Sequence, residues 1–190
     1  MTVAPASRQP PVPQLTFQQL TSPHDATPQL RRALTECWIE VTNAGGAAGF
    51  PFPPVDADTV APVLDRVVDQ LSPDTGRLLT ATTVDGELAG WLNIRRDRSE
   101  LIGHWGTLHH VQTRTALRGR GVGRALMDEV RRVAKEEMGL EQLHLAARGG
   151  VGLEDFYGRL GWKEVGRWPG ALRFGAGDDR DEILMLLAPL

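Results

Sequence analysis

The chain is short of cysteine, and that shortage narrows its class. Cys37 is the single cysteine in 190 residues. No disulfide can close within the chain, so a bridge-stapled secreted scaffold is excluded. Long apolar runs are missing too, and nothing approaches the roughly 20 residues of a membrane helix. Charge of one sign is also lacking. Lys and Arg number 21 against 24 Asp and Glu, for a formal net charge of −3. A generic nucleic-acid binder is basic, so that partner class is disfavoured. The opening "MTVAPASRQPPVPQ" lacks the apolar middle of a signal peptide. Residues 1–13, rich in proline and small side chains, read as a flexible leader, and the location expected is cytoplasmic, with no membrane partner.

What is present fits a globular domain over residues 14–190, with 41% apolar and 24% charged residues. "QLTFQQL" alternates like a short strand. Pro28 opens a helical pattern through Leu30, Leu34, Cys37, Trp38 and Val41, in which Cys37 reads as a buried thiol. "NAGGAAGFPFPP" is a loop, and a second helical pattern follows through Val60, Leu64, Val67 and Leu71. "RLLTATTVDGELAGWLNIRRD" reads as a hairpin turning at Asp85-Gly86. A strand ends near Thr113, and the helix after it carries Leu126, Val130, Val133, Ala134 and Met138 on one face. "QLHLAA" is a strand, "GLEDFYGRLG" a short helix closed by Gly161, and "WKEVGRW" and "DEILMLLAPL" two closing strands. The order describes one mixed α/β domain.

Between strand and helix lies "RGRGVGR", Arg118 to Arg124, which packs three glycines and three arginines into seven residues. A helix start exposes unpaired N–H groups and the positive end of the macrodipole. Glycine lets the backbone approach a ligand closely, and arginine adds bidentate donors for phosphate oxygens. The stretch is either a glycine-requiring turn or an anion cradle, and the interleaved arginines favour the cradle. It is not a P-loop, because Gly123 is followed by Arg124 and Ala125 where Lys and Ser or Thr are needed. It also fails the dinucleotide fingerprint, because Arg124 stands where the third glycine belongs.

Arg118, Gly121 and Gly123 do write Arg-x-x-Gly-x-Gly. This resembles the acetyl-coenzyme A pyrophosphate loop of the GNAT acyltransferase superfamily. "FYGRLGW", Phe156 to Trp162, resembles that family's second motif, one strand later. "GWKEVGRWPG" is similar to bacterial members that acetylate small amines. The resemblance implies a mixed central sheet of six to seven strands flanked by about four helices. It also implies acetyl transfer from acetyl-coenzyme A to a primary amine of a small molecule or peptide, by direct attack in a ternary complex without a metal. A homodimer is among the assemblies the resemblance allows. The alternative on the same fold is a non-catalytic acyl-coenzyme A sensor or interaction module.

The resemblance further implies roles for residues. Backbone N–H groups of Gly119, Arg120, Gly121, Val122, Gly123 and Arg124, with Arg118, would hold the pyrophosphate. Val111 and Thr113 would pair with the pantetheine arm, the Val111 amide polarising the thioester carbonyl. Tyr157, the single tyrosine, would protonate the departing thiolate. His109 is the first candidate general base. Strand alternation puts it on the face of Val111 and sends His110 to the other face, unless a bulge intervenes. His104 is a further candidate, through a water chain. Gly150 departs from the family, which places asparagine there, and Arg148 is the candidate to contribute in its place. Phe50 and Phe52 either wall a substrate pocket or plug the core. Asp178, Asp179, Asp181 and Glu182 either attract a cationic amine or form a solvated turn.

Overall fold

The structure, a computed structural model, describes residues 13–46 and 49–190. Apart from Pro13, the leader lies outside the described residues, as do Ala47 and Ala48 of the glycine-rich loop. The elements are β1 (Leu15–Leu20), α1 (Pro28–Asn43), α2 (Ala57–Asp69), β2 (Gly76–Thr83), β3 (Leu88–Arg96), β4 (Trp105–Thr113), α3 (Val122–Arg132), β5 (Gln142–Arg148), α4 (Leu153–Gly158), β6 (Lys163–Gly175) and β7 (Asp178–Leu187). This is the order read from the sequence. The strands form one mixed sheet in the order β1-β2-β3-β4-β5-β7-β6.

Local chemistry accounts for the element ends. Thr27 caps α1 by accepting from the Leu30 N–H, with Pro28 in the first turn. Gly86, at φ 81°, turns the β2–β3 hairpin. The last turn after α3, Val133–Glu137, widens into a π-type turn. The sequence ends the sixth strand at Trp168, but β6 continues through Pro169 and Gly170 to Gly175. The pairing register shifts between Trp168 and Leu172, which accommodates a proline that has no N–H to donate. β7 likewise begins at Asp178, so the acidic residues lie within a strand rather than in a turn before it.

Two apolar layers sandwich the sheet. On one face Leu126, Val130 and Val133 pack against Leu79, Ile94, Leu108 and Leu145. On the other, α1 and α2 bury Trp38 and Leu64 against Leu20, Leu78 and Trp91. Cys37 is fully buried there, and burial pushes its thiol up to about 12.

Two irregularities prepare the site. Parallel pairing of β4 with β5 runs only from Trp105–Gln142 to Leu108–Leu145. Beyond it β4 stays bound to β3 and β5 to β7, so the sheet splits in its middle. β4 also bulges at the split. Trp91 pairs with Gln112 and Asn93 with His109, so Leu92 faces both His110 and Val111. His110 takes φ 55° to make the bulge.

Candidate active site

Hollows lie on both faces of the split. The first, about 760 Å³, opens at the start of α3 and is lined by Val111, Thr113, Tyr157 and all of Arg118–Arg124, with Val41, Gly45 and Gly46 closing it from the α1 side. The sequence builds this cradle locally. Gly119 and Gly121 adopt φ 73° and 84°, a region that favours glycine. Gly121 caps α3, and the first N–H of the helix to find a backbone acceptor there belongs to Ala125, bonded to the Gly121 carbonyl at 2.9 Å. The preceding amides of the first turn are left for a ligand. Gly123 is pressed close: a Cβ there would lie 3.3 Å from the Phe156 ring and 3.5 Å from Thr113 Oγ1. Arg118, Arg120, Arg124, Arg148 and Arg159 line the hollow, and no Asp or Glu does.

Arg118 reaches across to the loop after α1, where a Cβ on Gly46 would collide with its guanidinium. Arg148 is buried, donates to the Gly45 carbonyl and lies 4.6 Å over the Phe174 ring. Its Nε is buried without a partner. Gly150, two residues on, takes φ 79°. Tyr157 is buried edge-on to Phe156 and Trp162, with ring centroids 5.1 and 5.9 Å away. Burial raises its pKa above the usual phenol value, so the hydroxyl keeps its proton.

His109 is not in this hollow. It lines a second one, of about 710 Å³, with Arg95, Arg96, Trp105 and Thr107. The alternation argument therefore needs correcting on two counts. The bulge inserts one residue between His109 and Val111, so the two point to opposite faces. His110 does not turn away from His109. It lies on the α1 side, 4.5 Å from Trp38 and 5.9 Å from Trp91 between ring centroids. Burial lowers the His110 pKa to about 4, helped by His109 and Arg95. Burial, then Arg95, also lowers that of His109. His104 is exposed and does not line this hollow.

Several features were illegible in the sequence or left open there. Glu40 of α1 accepts from the Thr115 N–H and from Arg114, both at 2.7 Å, and also from the Thr115 hydroxyl. This fastens α1 to the chain entering the cradle. Phe50 is buried edge-on against Trp38 at 5.1 Å, a plug rather than a wall, while Phe52 is 60% exposed. The acidic residues of β7 do not form a free turn: Asp178 pairs with Arg180, Asp179 with Arg173 at 2.7 Å, and Asp181 with Arg167 at 3.1 Å. Among the described residues, no group of three His, Cys, Asp or Glu side chains is placed to hold a metal.

The model of the acetyltransferase (GNAT) family matches residues 28–162, which span both helices over the split, the cradle and Tyr157. The chain belongs to the GNAT family. Solved structures agree in fold. A GCN5-related N-acetyltransferase from Kribbella flavida superposes with TM-score 0.71 at 20% identity, covering 93% of this chain and 98% of that one. A GNAT-family acetyltransferase from Streptococcus pneumoniae gives 0.68 at 21%, covering 92% and 99%. The yncA protein of Salmonella typhimurium, solved with acetyl-coenzyme A as its cofactor, gives 0.66 at 18%, covering 92% and 93%. Among curated proteins, the tRNA uridine(34) acetyltransferase of Methanocaldococcus infernus is 42% identical over 50 residues. That match takes in 26% of this GNAT chain and 9% of the relative's own length.

Proposed function

We propose that this GNAT protein transfers an acetyl group from acetyl-coenzyme A to a primary amine of a small molecule or peptide. The observation that carries the reading is the split between β4 and β5, which opens onto a cradle at a helix start whose charged side chains are all arginine. Amides from Gly119 to Arg124, with Arg118, bind the pyrophosphate, apart from that of Arg120, which donates to the Leu117 carbonyl at 3.3 Å. The unpaired edge of β4 at Val111 and Thr113 takes the pantetheine arm, and the Val111 amide polarises the thioester carbonyl. The acceptor comes from the opposite face, where His109 is the first β4 residue past the last β4–β5 pair.

The amine nitrogen attacks the carbonyl carbon directly, and its proton passes to His109. The carbon–sulfur bond then breaks, and the leaving thiolate takes the proton of Tyr157. A covalent acyl-enzyme has no support, since Cys37 is buried with a raised pKa. The short likeness to tRNA acetyltransferases supports the shared acyl donor rather than a nucleic-acid acceptor, given the net charge of −3. We place the protein in the cytoplasm. No helix among the described residues is long and apolar enough to cross a membrane.

Calorimetric titration with acetyl-coenzyme A, using dephospho-coenzyme A as control, tests the cradle. One-site binding followed by amine-dependent thiol release is expected. Absence of binding at millimolar cofactor would refute the transferase reading. Binding with no release for any amine would favour the sensor alternative.

A further inference from the structure

The acceptor-side hollow contains an arginine with nothing to hold. Arg95 is half-buried, and among the described residues its side chain makes no hydrogen bond or ion pair. Each other described arginine that is not fully exposed has a partner. Arg31 pairs with Asp65, Arg77 with Glu137, Arg114 with Glu40 and Arg180 with Asp178. Arg96 donates to the Met138 carbonyl and Arg148 to that of Gly45. The guanidinium nitrogens of Arg95 are not buried, so they face the water of the hollow, where a carboxylate can pair with the planar fork through two hydrogen bonds. That leaves Arg95 poised for an anion from outside the chain.

Its position relative to the split suits Arg95 to an acceptor substrate. Arg95 pairs across the sheet with Thr107, and His109 lies two residues further along the same strand. All three line the one hollow, on the same face. Diagonal neighbours of this kind are about 7–8 Å apart at the backbone, a span that one small molecule can bridge. The surrounding charge agrees. Arg96 and Arg98 share the hollow with Asp69 and Asp97, so it has no net negative field to draw a polycation. Three of the four acids of β7, Asp178, Asp179 and Asp181, are already paired with arginines.

We infer that the hollow beside His109 is the acceptor subsite and that it takes a small amine bearing a carboxylate, of the α-amino acid type, with Arg95 holding the carboxylate and His109 facing the amine. The inference rests on the acyl-transfer reading above and names its substrate class. A cationic aminoglycoside or a lysine-rich peptide does not fit this subsite.

Thiol release is measured for the common L-amino acids, each against its own amide, with the wild type, Arg95→Gln and Arg95→Lys. The amide has the lower amine pKa and more free base at neutral pH, so chemistry alone favours it. Wild type is expected to prefer the acid by about 10- to 100-fold in kcat/KM for at least one pair. Arg95→Gln should bring that ratio to one or below through KM, and Arg95→Lys should restore part of it. Amides that outrun acids throughout, or an Arg95→Gln ratio equal to wild type, would overturn the subsite. Acetyl-coenzyme A binding is titrated in parallel, because its loss in wild type marks failure of the transferase reading instead. If cofactor binds but no amine turns over, N-acetyl-amino acids and their amides are titrated onto the coenzyme A complex. Equal or absent binding of the two would also overturn it.

Discussion

The proposed mechanism makes two demands on Tyr157, to stay protonated until a thiolate forms and to lie beside the sulfur. Burial among Phe156 and Trp162 meets the first by raising the phenol's pKa. Tyr157→Phe should therefore lower kcat by roughly 100-fold, the usual scale for a general acid, and leave the acetyl-coenzyme A Kd nearly unchanged. Steady-state kinetics with parallel calorimetry separates the two effects. His110 gives a different test. Its folded pKa of about 4 lies below the 6.5 of an unperturbed histidine. As pH falls, the unfolded chain takes up the proton first, so stability is complete above about pH 6.5 and declines toward pH 4. The loss over that window is about 3 kcal/mol. Urea unfolding of wild type and His110→Phe across the window should show the slope in wild type and a flatter line in the variant.

At the scale of elements, Glu40 decides how firmly α1 meets the cradle. Burial pushes its carboxyl up, but the hydrogen bonds from Thr115 and Arg114 outweigh this and hold its pKa below the usual value. Glu40→Gln should cost about 1–3 kcal/mol in urea unfolding and weaken cofactor binding. In wild type, the carboxylate's share of stability is present above pH 4.5 and lost as pH drops through the lowered folded value.

The cradle itself was legible in the sequence, because its causes are contiguous. The glycines that need φ near 80°, the arginines and the helix start all lie within Arg118–Arg124. The order of elements was legible for the same reason, since periodicity is local. The bulge at His110 was not. It is set by the register of β4 against Trp91 and Asn93 and by the ring of Trp38, residues distant in the chain. That one insertion reversed the relation of His109 to Val111. The arginine partners of the β7 acids, and the placing of Arg95 beside His109, are cross-strand or next-neighbour outcomes that no motif encodes.

At the scale of the whole molecule, the sheet keeps two functions apart on its two faces. Tyr157 and the glycine-arginine turn lie on the α3 side, with the end of α1 closing over them, and His109 and Arg95 lie on the α1–α2 side. Contact between the sides is available where β4 and β5 part. A substitution that zipped the strands together past Leu108 and Leu145 would close the edge at Val111 and Thr113 and abolish the proposed reaction.

The gap also has a cost for the empty protein. His109–Thr113 and Ala146–Arg148 form an edge in the interior of a sheet, the kind of unpaired rim that invites stray extended segments. A pantetheine arm bound there would act as a gasket. Cofactor at about 100 times its Kd would add about 2.7 kcal/mol to the unfolding free energy. Backbone amides from Val111 to Thr113 would exchange with deuterium more slowly, and heated samples would clump later. The supply of acetyl-coenzyme A would then govern how long the chain survives as well as how fast it works.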